Sequence, residues 1–151
     1  MEVIDSLDII NAQTAVCTRC DERGYVAINR PIERGQGLKR IWLIGQAPGY
    51  SEGINKIAFG GPAGKTLMRW FDQAGLSEEQ VRSYFYISAI NKCYPGRAKN
   101  GGGDRNPTPT ERAICRPYLL FSTVHKVKSG ERRAILGVGN QSYALGLAVL
   151  P

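Results

Sequence analysis

The chain has 151 residues, 42% of them apolar and 22% charged, with 20 basic against 13 acidic side chains and a net charge of +7. These values exclude a disordered chain and fit a single domain over residues 1–151 with a sizeable core. No run approaches the roughly 20 apolar residues that cross a bilayer, and the acidic start, MEVIDSLDII, is unlike an export signal.

The expectation is therefore a cytoplasmic, monomeric protein with no membrane partner and, from its basic excess, a polyanionic one. Residues 1–16 have a weak helical pattern, followed by Cys17-Thr18-Arg19-Cys20 and a basic, glycine-containing stretch to Arg40. The apolar run Ile41–Ile44, stopped by Gly45, predicts a buried parallel strand. A long glycine-rich loop from Gln46 to Gly61 comes next. Pro62 then opens a helix with Leu67, Trp70, Phe71 and Ala74 at helical spacing, and Gly75 is placed to end it.

Tyr84–Ile90, rich in aromatic and β-branched residues, predicts a second strand. A polar loop spans Pro95–Pro107. Thr108-Pro109-Thr110-Glu111 reads as a capping box opening a helix that carries Cys115, Leu119 and Leu120. His125, the one histidine, reads as a surface residue. Ala134–Val138 is a third predicted strand, and Asn140 starts a further helix. The alternation predicts an α/β fold, a three-layer sandwich around a mostly parallel central sheet. Ligands bind such sheets at the carboxyl ends of the strands, where the loops from Gln46 and Asn91 depart.

Four features carry chemistry. Cys17 and Cys20 have the spacing that brings two thiolates to one centre. Cys93 follows a strand and Cys115 lies early in a helix, so four thiolates can converge on zinc or an iron–sulfur cluster. Spacing alone does not choose between the two. The C-x-x-C does not follow a strand, which argues against thioredoxin-like redox chemistry.

The second feature is Gly45-Gln46-Ala47-Pro48-Gly49, a tight turn whose backbone N–H groups suit a carbonyl or phosphate oxygen. The third is Gly60-Gly61-Pro62-Ala63-Gly64-Lys65-Thr66. It imitates a phosphate-binding loop, but Phe59 stands where the first glycine is required and no strand directly precedes it, so nucleotide hydrolysis is rejected. The Phe59 ring itself suits stacking on a base. The fourth is the basic loop Arg97–Asn106, with Lys99 and Arg105, which leads into a helix N-terminus and suits phosphate contact.

In this order the features resemble the uracil-DNA glycosylases of the iron–sulfur type, families four and five. The family shows C-x-x-C, then a strand ending in a G-E-A-P-G-like turn, a glycine-flanked phenylalanine and G-x-A-G. It continues with K-C-x-P-P, P-T-P-x-E and C-x-P-Y-L. The counterparts here are Cys17/Cys20, Gly45–Gly49, Phe59 with Gly61–Gly64, Lys92–Pro95, Pro107–Glu111 and Cys115–Leu119.

The resemblance implies a [4Fe–4S] cluster on Cys17, Cys20, Cys93 and Cys115, and removal of uracil from DNA. The flipped base would stack on Phe59 and meet the Gln46-Ala47-Pro48-Gly49 turn. Gly61, Gly64, Lys65, Arg97, Lys99 and Arg105 would contact DNA. The chain also departs from the pattern. Gln46 replaces an acidic residue and cannot act as a base, which leaves Glu52 to position water. Ala89 stands where many members have a uracil-reading asparagine, and Asn91, two residues on and on the same side of the strand, is the substitute. Pro62 stands where the broader-specificity branch can have aspartate.

A later H-P-S segment of the family does not occur before Pro151, so weak or absent activity is expected of this length of chain. The alternatives are a non-catalytic DNA- or uracil-binding remnant of the same fold, or a zinc-stabilised basic nucleic-acid-binding module.

Overall fold

A computed structural model describes residues 6–28, 41–124 and 134–138. The elements are α1 (Ser6–Ala15), β1 (Ile41–Gly45), α2 (Tyr50–Asn55), α3 (Pro62–Gln73), α4 (Glu78–Tyr84), β2 (Phe85–Ala89), α5 (Pro109–Val124) and β3 (Ala134–Gly137). His125 and the helix expected from Asn140 lie outside the described residues.

The three strands form a parallel sheet in the order β2-β1-β3. Ile41 pairs with Phe85 and Ala134, and Gly45 with Ala89. The central strand β1 is buried on both faces, as its continuous apolar run requires. Alternation along the strands divides its side chains between two cores. Trp42 and Ile44 join Tyr86, Ile90 and Leu119 of α5 on one face. Leu43 joins Leu67 and Met68 of α3, Val81 of α4, Phe85 and Ile87 on the other. Helices thus cover both faces, which makes the layers three. The Trp42 and Tyr86 ring centroids are 4.5 Å apart, and those of Phe71 and Phe85 are 5.2 Å apart, edge to face.

Two helices depart from the sequence expectation. The stretch read as one long loop contains α2, a six-residue helix too short to announce itself by periodicity. The second strand begins at Phe85 because Tyr84 closes α4. That helix starts at a capping box in which Gln80 N–H donates to Ser77 Oγ (3.2 Å) and Ser77 N–H donates to Gln80 Oε1 (2.8 Å). The helix α3 opens at Pro62, and its chain turns away through Gly75, whose φ of +86° is left-handed.

Candidate active site

The sheet ends in a turn, and two backbone bonds carry the β1–β2 pairing past it. Ile90 N–H donates to Gly45 O (2.9 Å) and Asn91 N–H donates to Gln46 O (3.0 Å). Asn91 is thereby seated beside Gln46 at the carboxyl edge of the sheet. Its side chain is buried, 4% exposed, and its Oδ1 has no hydrogen-bond partner. A buried amide oxygen left bare costs free energy in the empty protein and is a standing acceptor for a ligand.

The turn passes directly into α2. Gly49 has no side chain to cap that helix, and the Glu52 carboxylate takes the task, accepting from Gly49 N–H (2.7 Å). Asp104 accepts from the next amide, Tyr50 N–H (3.3 Å), through Oδ2 and from Tyr94 Oη–H (2.7 Å) through Oδ1. Burial, then this hydrogen bond, push the Tyr94 phenol above its ordinary value. Gln46 Nε2 donates to Asn106 Oδ1 (2.6 Å). Pro48 is buried and has no N–H to give.

Phe59 roofs the start of the turn. A Cβ placed on Gly45 would stand 3.1 Å from Phe59 Cζ. The half-buried ring also packs against the core formed by β1, β2, α3 and α4. Phe59 holds a left-handed φ of 55°, which a non-glycine residue adopts only under constraint. The constraint is visible: a Cβ on Gly64 would lie 1.8 Å from the Phe59 carbonyl oxygen, so α3 presses its first turn directly onto the Phe59 backbone.

The basic candidates separate into two groups. Lys65, Arg97 and Lys99 are exposed. Arg97 and Lys99 stand on a hairpin-like loop closed by an Arg97–Asp104 bridge and by Ala98 N–H donating to Gly103 O (2.8 Å). Arg105 is committed inward. It donates to both Glu111 oxygens (2.9 and 2.6 Å), to Tyr25 O and to Asn106 O. Gly61 is extended and half-buried at the start of α3, where an added Cβ would stand 3.9 Å from Glu52 Cγ.

The four cysteines lie elsewhere, on the side facing α1. Cys17 and Cys20 follow α1, Cys93 follows β2, and Cys115 belongs to α5. None of the four is in a disulfide, and all line one pocket with Lys92 and Tyr118. Burial, followed by the neighbouring Cys115 and Cys17, pushes the Cys20 thiol up to about 11. Burial likewise raises Cys115, against a pull from the Lys92 N–H that donates to its Sγ (3.4 Å). The Arg19 guanidinium lies 5.3 Å from the Tyr118 ring centroid. Among the described residues no three Cys, His, Asp or Glu side chains form a group that could hold a single metal ion. The four cysteines share this one pocket.

The family model of the uracil DNA glycosylase superfamily matches residues 33–149. The chain belongs to the uracil DNA glycosylase superfamily. It is 31% identical over 140 residues to a Type-4 uracil-DNA glycosylase of Saccharolobus solfataricus, a match covering 92% of this chain and 58% of that protein. A Type-4 uracil-DNA glycosylase of Archaeoglobus fulgidus is 32% identical over 117 residues, 78% of this chain and 53% of that protein. One from Thermotoga maritima is 30% identical over 117 residues, 76% of this chain and 54% of that protein. The chain thus spans between about half and three-fifths of the length of these relatives.

The superfamily match takes in the turn, Phe59, Asn91, Cys93 and Cys115 but begins after Cys17 and Cys20. Among the described residues no helix is long and apolar enough to cross a membrane. Sequence reasoning missed Asp104, Tyr94 and Asn106 as supports of the turn. One signal for Asp104 was present: it is the single acidic residue in the otherwise basic segment Arg97–Asn106.

Proposed function

We propose that this chain is a uracil-DNA glycosylase that hydrolyses the bond between uracil N1 and deoxyribose C1′ in DNA, the opening step of base-excision repair. The observation that carries the reading is the buried Asn91 Oδ1, bare of any partner, beside the Gln46–Gly49 turn and under the same sheet edge as Phe59. The target base leaves the stack to reach this site. Phe59 stacks on it, a contact worth about 1–3 kcal/mol per base. Asn91 reads the Watson–Crick edge through its amide. The Gly49 and Tyr50 N–H groups are already taken by Glu52 and Asp104, so Gln46 and Ala47 supply the turn's donors to uracil.

The C1′–N1 bond breaks with its electron pair going to uracil, and water oxygen bonds to C1′ and loses a proton, which the uracil anion takes up to leave as free uracil. The side chains stabilise the uracil anion and orient the water, an electrostatic task that needs no strong base. Gln46 suits it: Asn106 fixes its Nε2, which leaves Oε1 to accept from the water. Glu52 acts through the turn it caps. Lys65, Arg97 and Lys99 take phosphates. Arg105, Gly61 and Gly64 shape the surface that does so.

Four cysteines from three parts of the chain line one pocket, which suits a [4Fe–4S] cluster. A cluster places each of its four sulfur ligands on a different iron. Cys17, Cys20, Cys93 and Cys115 would hold it, with the Lys92 N–H on the Cys115 sulfur. When bound, the cluster supplies a structural tie between the segment after α1, the end of β2, and α5. The same reading makes the chain one domain that works as a monomer on DNA inside the cell.

The test is anaerobic purification, iron and zinc analysis, and incubation with a uracil-containing oligonucleotide. Free uracil and a protein carrying about four irons per chain are expected. Iron-loaded protein that releases no uracil contradicts the glycosylase reading, and stoichiometric zinc contradicts the cluster.

A further inference from the structure

Asp104 is an oddity in its setting. A carboxylate between Lys99 and Arg105 repels the phosphates that its basic neighbours are placed to attract. Yet both of its oxygens point away from that task. Oδ1 accepts from the buried Tyr94 hydroxyl (2.7 Å), and Oδ2 accepts from Tyr50 N–H (3.3 Å). The same Oδ2 lies 3.1 Å from where a Cβ on Gly49 would stand. Tyr94 in turn lies under α2: a Cβ on Gly53 would meet Tyr94 Cβ at 3.0 Å. The Tyr50 and Tyr94 rings stand edge to face, 5.9 Å between centroids.

The loop that holds Asp104 is itself set by backbone. Asp104 bridges Arg97 across the hairpin, Arg105 N–H donates to Gly96 O (2.9 Å), and Gly101 and Gly103 take left-handed φ values of 74° and 100° that turn the tip.

We propose that Asp104 is a positioning residue: it ties the phosphate-contacting hairpin to the Gly49–Tyr50 end of the base-binding turn, so that seating the hairpin on DNA also fixes the turn. The activity part of this inference rests on the glycosylase reading; the mechanical part does not. Removing the carboxylate frees the Tyr50 amide and leaves the Tyr94 hydroxyl without its acceptor, which loosens the start of α2. It also removes a negative charge from the DNA-facing loop. Rate and affinity should therefore move apart, where a contact serving DNA binding alone would lower both.

The experiment compares wild type, Asp104→Ala and the milder Tyr94→Phe. It reads amide hydrogen exchange at Gly49 and Gly53, affinity for a uracil-containing duplex, and the single-turnover rate of uracil release. In both variants exchange at Gly49 and Gly53 is expected to speed up severalfold. The single-turnover rate falls about tenfold in Asp104→Ala, the scale of a small misplacement of a reacting group. Duplex affinity stays level or improves. Unchanged exchange in both variants overturns the tie, whether or not the wild type releases uracil. Affinity falling in step with rate also overturns it. A wild type that releases no uracil sinks the glycosylase reading, and the exchange comparison then still decides Asp104. Should Asp104→Ala fail to fold, the exchange rates of Tyr94→Phe, which deletes one hydrogen bond and keeps the ring, decide whether the tie exists.

Discussion

The Phe59 ring lies across Gly45, close enough that a Cβ there would stand 3.1 Å from Cζ. This contact joins the last residue of the central strand to the aromatic residue assigned to base stacking. Phe59→Ala is expected to lower kcat/KM for uracil release by about 10- to 100-fold, the equivalent of one lost base–aromatic stack. Gly45→Ala should lower it less, because the ring needs to give by only a few tenths of an ångström. Steady-state kinetics on a uracil-containing oligonucleotide check both. A Phe59→Ala enzyme with unchanged kcat/KM removes the ring from the site.

Asn91 makes an opposite demand on stability and activity. Its buried Oδ1 has no partner, so Asn91→Ala removes an unsatisfied polar group from the protein without ligand. Thermal unfolding should show a Tm that is unchanged or raised, and about 1 kcal/mol of added stability is the scale. Uracil release should fall by about 10²-fold or more, as for loss of one transition-state hydrogen-bonding group. A variant losing both stability and activity marks Asn91 as an ordinary structural residue.

The Arg105–Glu111 pair predicts an acid limit to stability. Burial alone would raise the Glu111 carboxyl, but its hydrogen bonds with Arg105, then Thr108, outweigh burial and hold it below its ordinary value of 4.5. A lowered folded-state value means the stabilisation is complete above about pH 4.5 and is lost as pH falls through the lower folded-state value. Arg105 is 29% exposed against 2% for Glu111, so Arg105→Ala should cost about 2–3 kcal/mol, below the full range for a wholly buried pair. Denaturant unfolding across pH 3–7 checks this. Glu111→Gln should flatten the acid limb of the profile.

Salt dependence separates phosphate contacts from scaffolding. Each lost phosphate contact lowers the slope of log affinity against log salt by about 0.9 on duplex DNA. Arg97→Ala and Lys99→Ala, at exposed loop positions, should each lower it by about that amount. Arg105→Ala should leave the slope nearly unchanged and lower thermal stability instead, because its guanidinium is held by Glu111, Tyr25 and Asn106. Titrations of a fluorescent duplex at several salt concentrations decide each case.

The α/β layering was legible because its signals are local. Ile41–Ile44 is a continuous apolar run, and Thr108–Glu111 is a capping box, which the structure closes with Glu111 N–H donating to Thr108 Oγ1 (3.3 Å). Short α2 lacks periodicity, and α4 was hidden beside the strand signal of Tyr84–Ile90, although Ser77 and Gln80 had the capping spacing. In the candidate site, Phe59 was proposed from motif order and Asn91 from strand alternation beside Ala89. What held them could not be read this way. That Gly64 is a steric necessity under the Phe59 carbonyl, that Arg105 faces inward, and that Asp104 reaches Tyr50 are contacts across 5 to 80 residues of sequence. No local pattern carries such contacts.

The most direct test of the account is single-turnover release of uracil from a uracil-containing duplex by cluster-loaded protein, with Asn91→Ala measured beside it. The account predicts free uracil and an abasic strand from the wild type, and release slowed by about 10²-fold in a variant that remains folded. Release that is equal in the two proteins, or absent from an iron-loaded wild type, would contradict it.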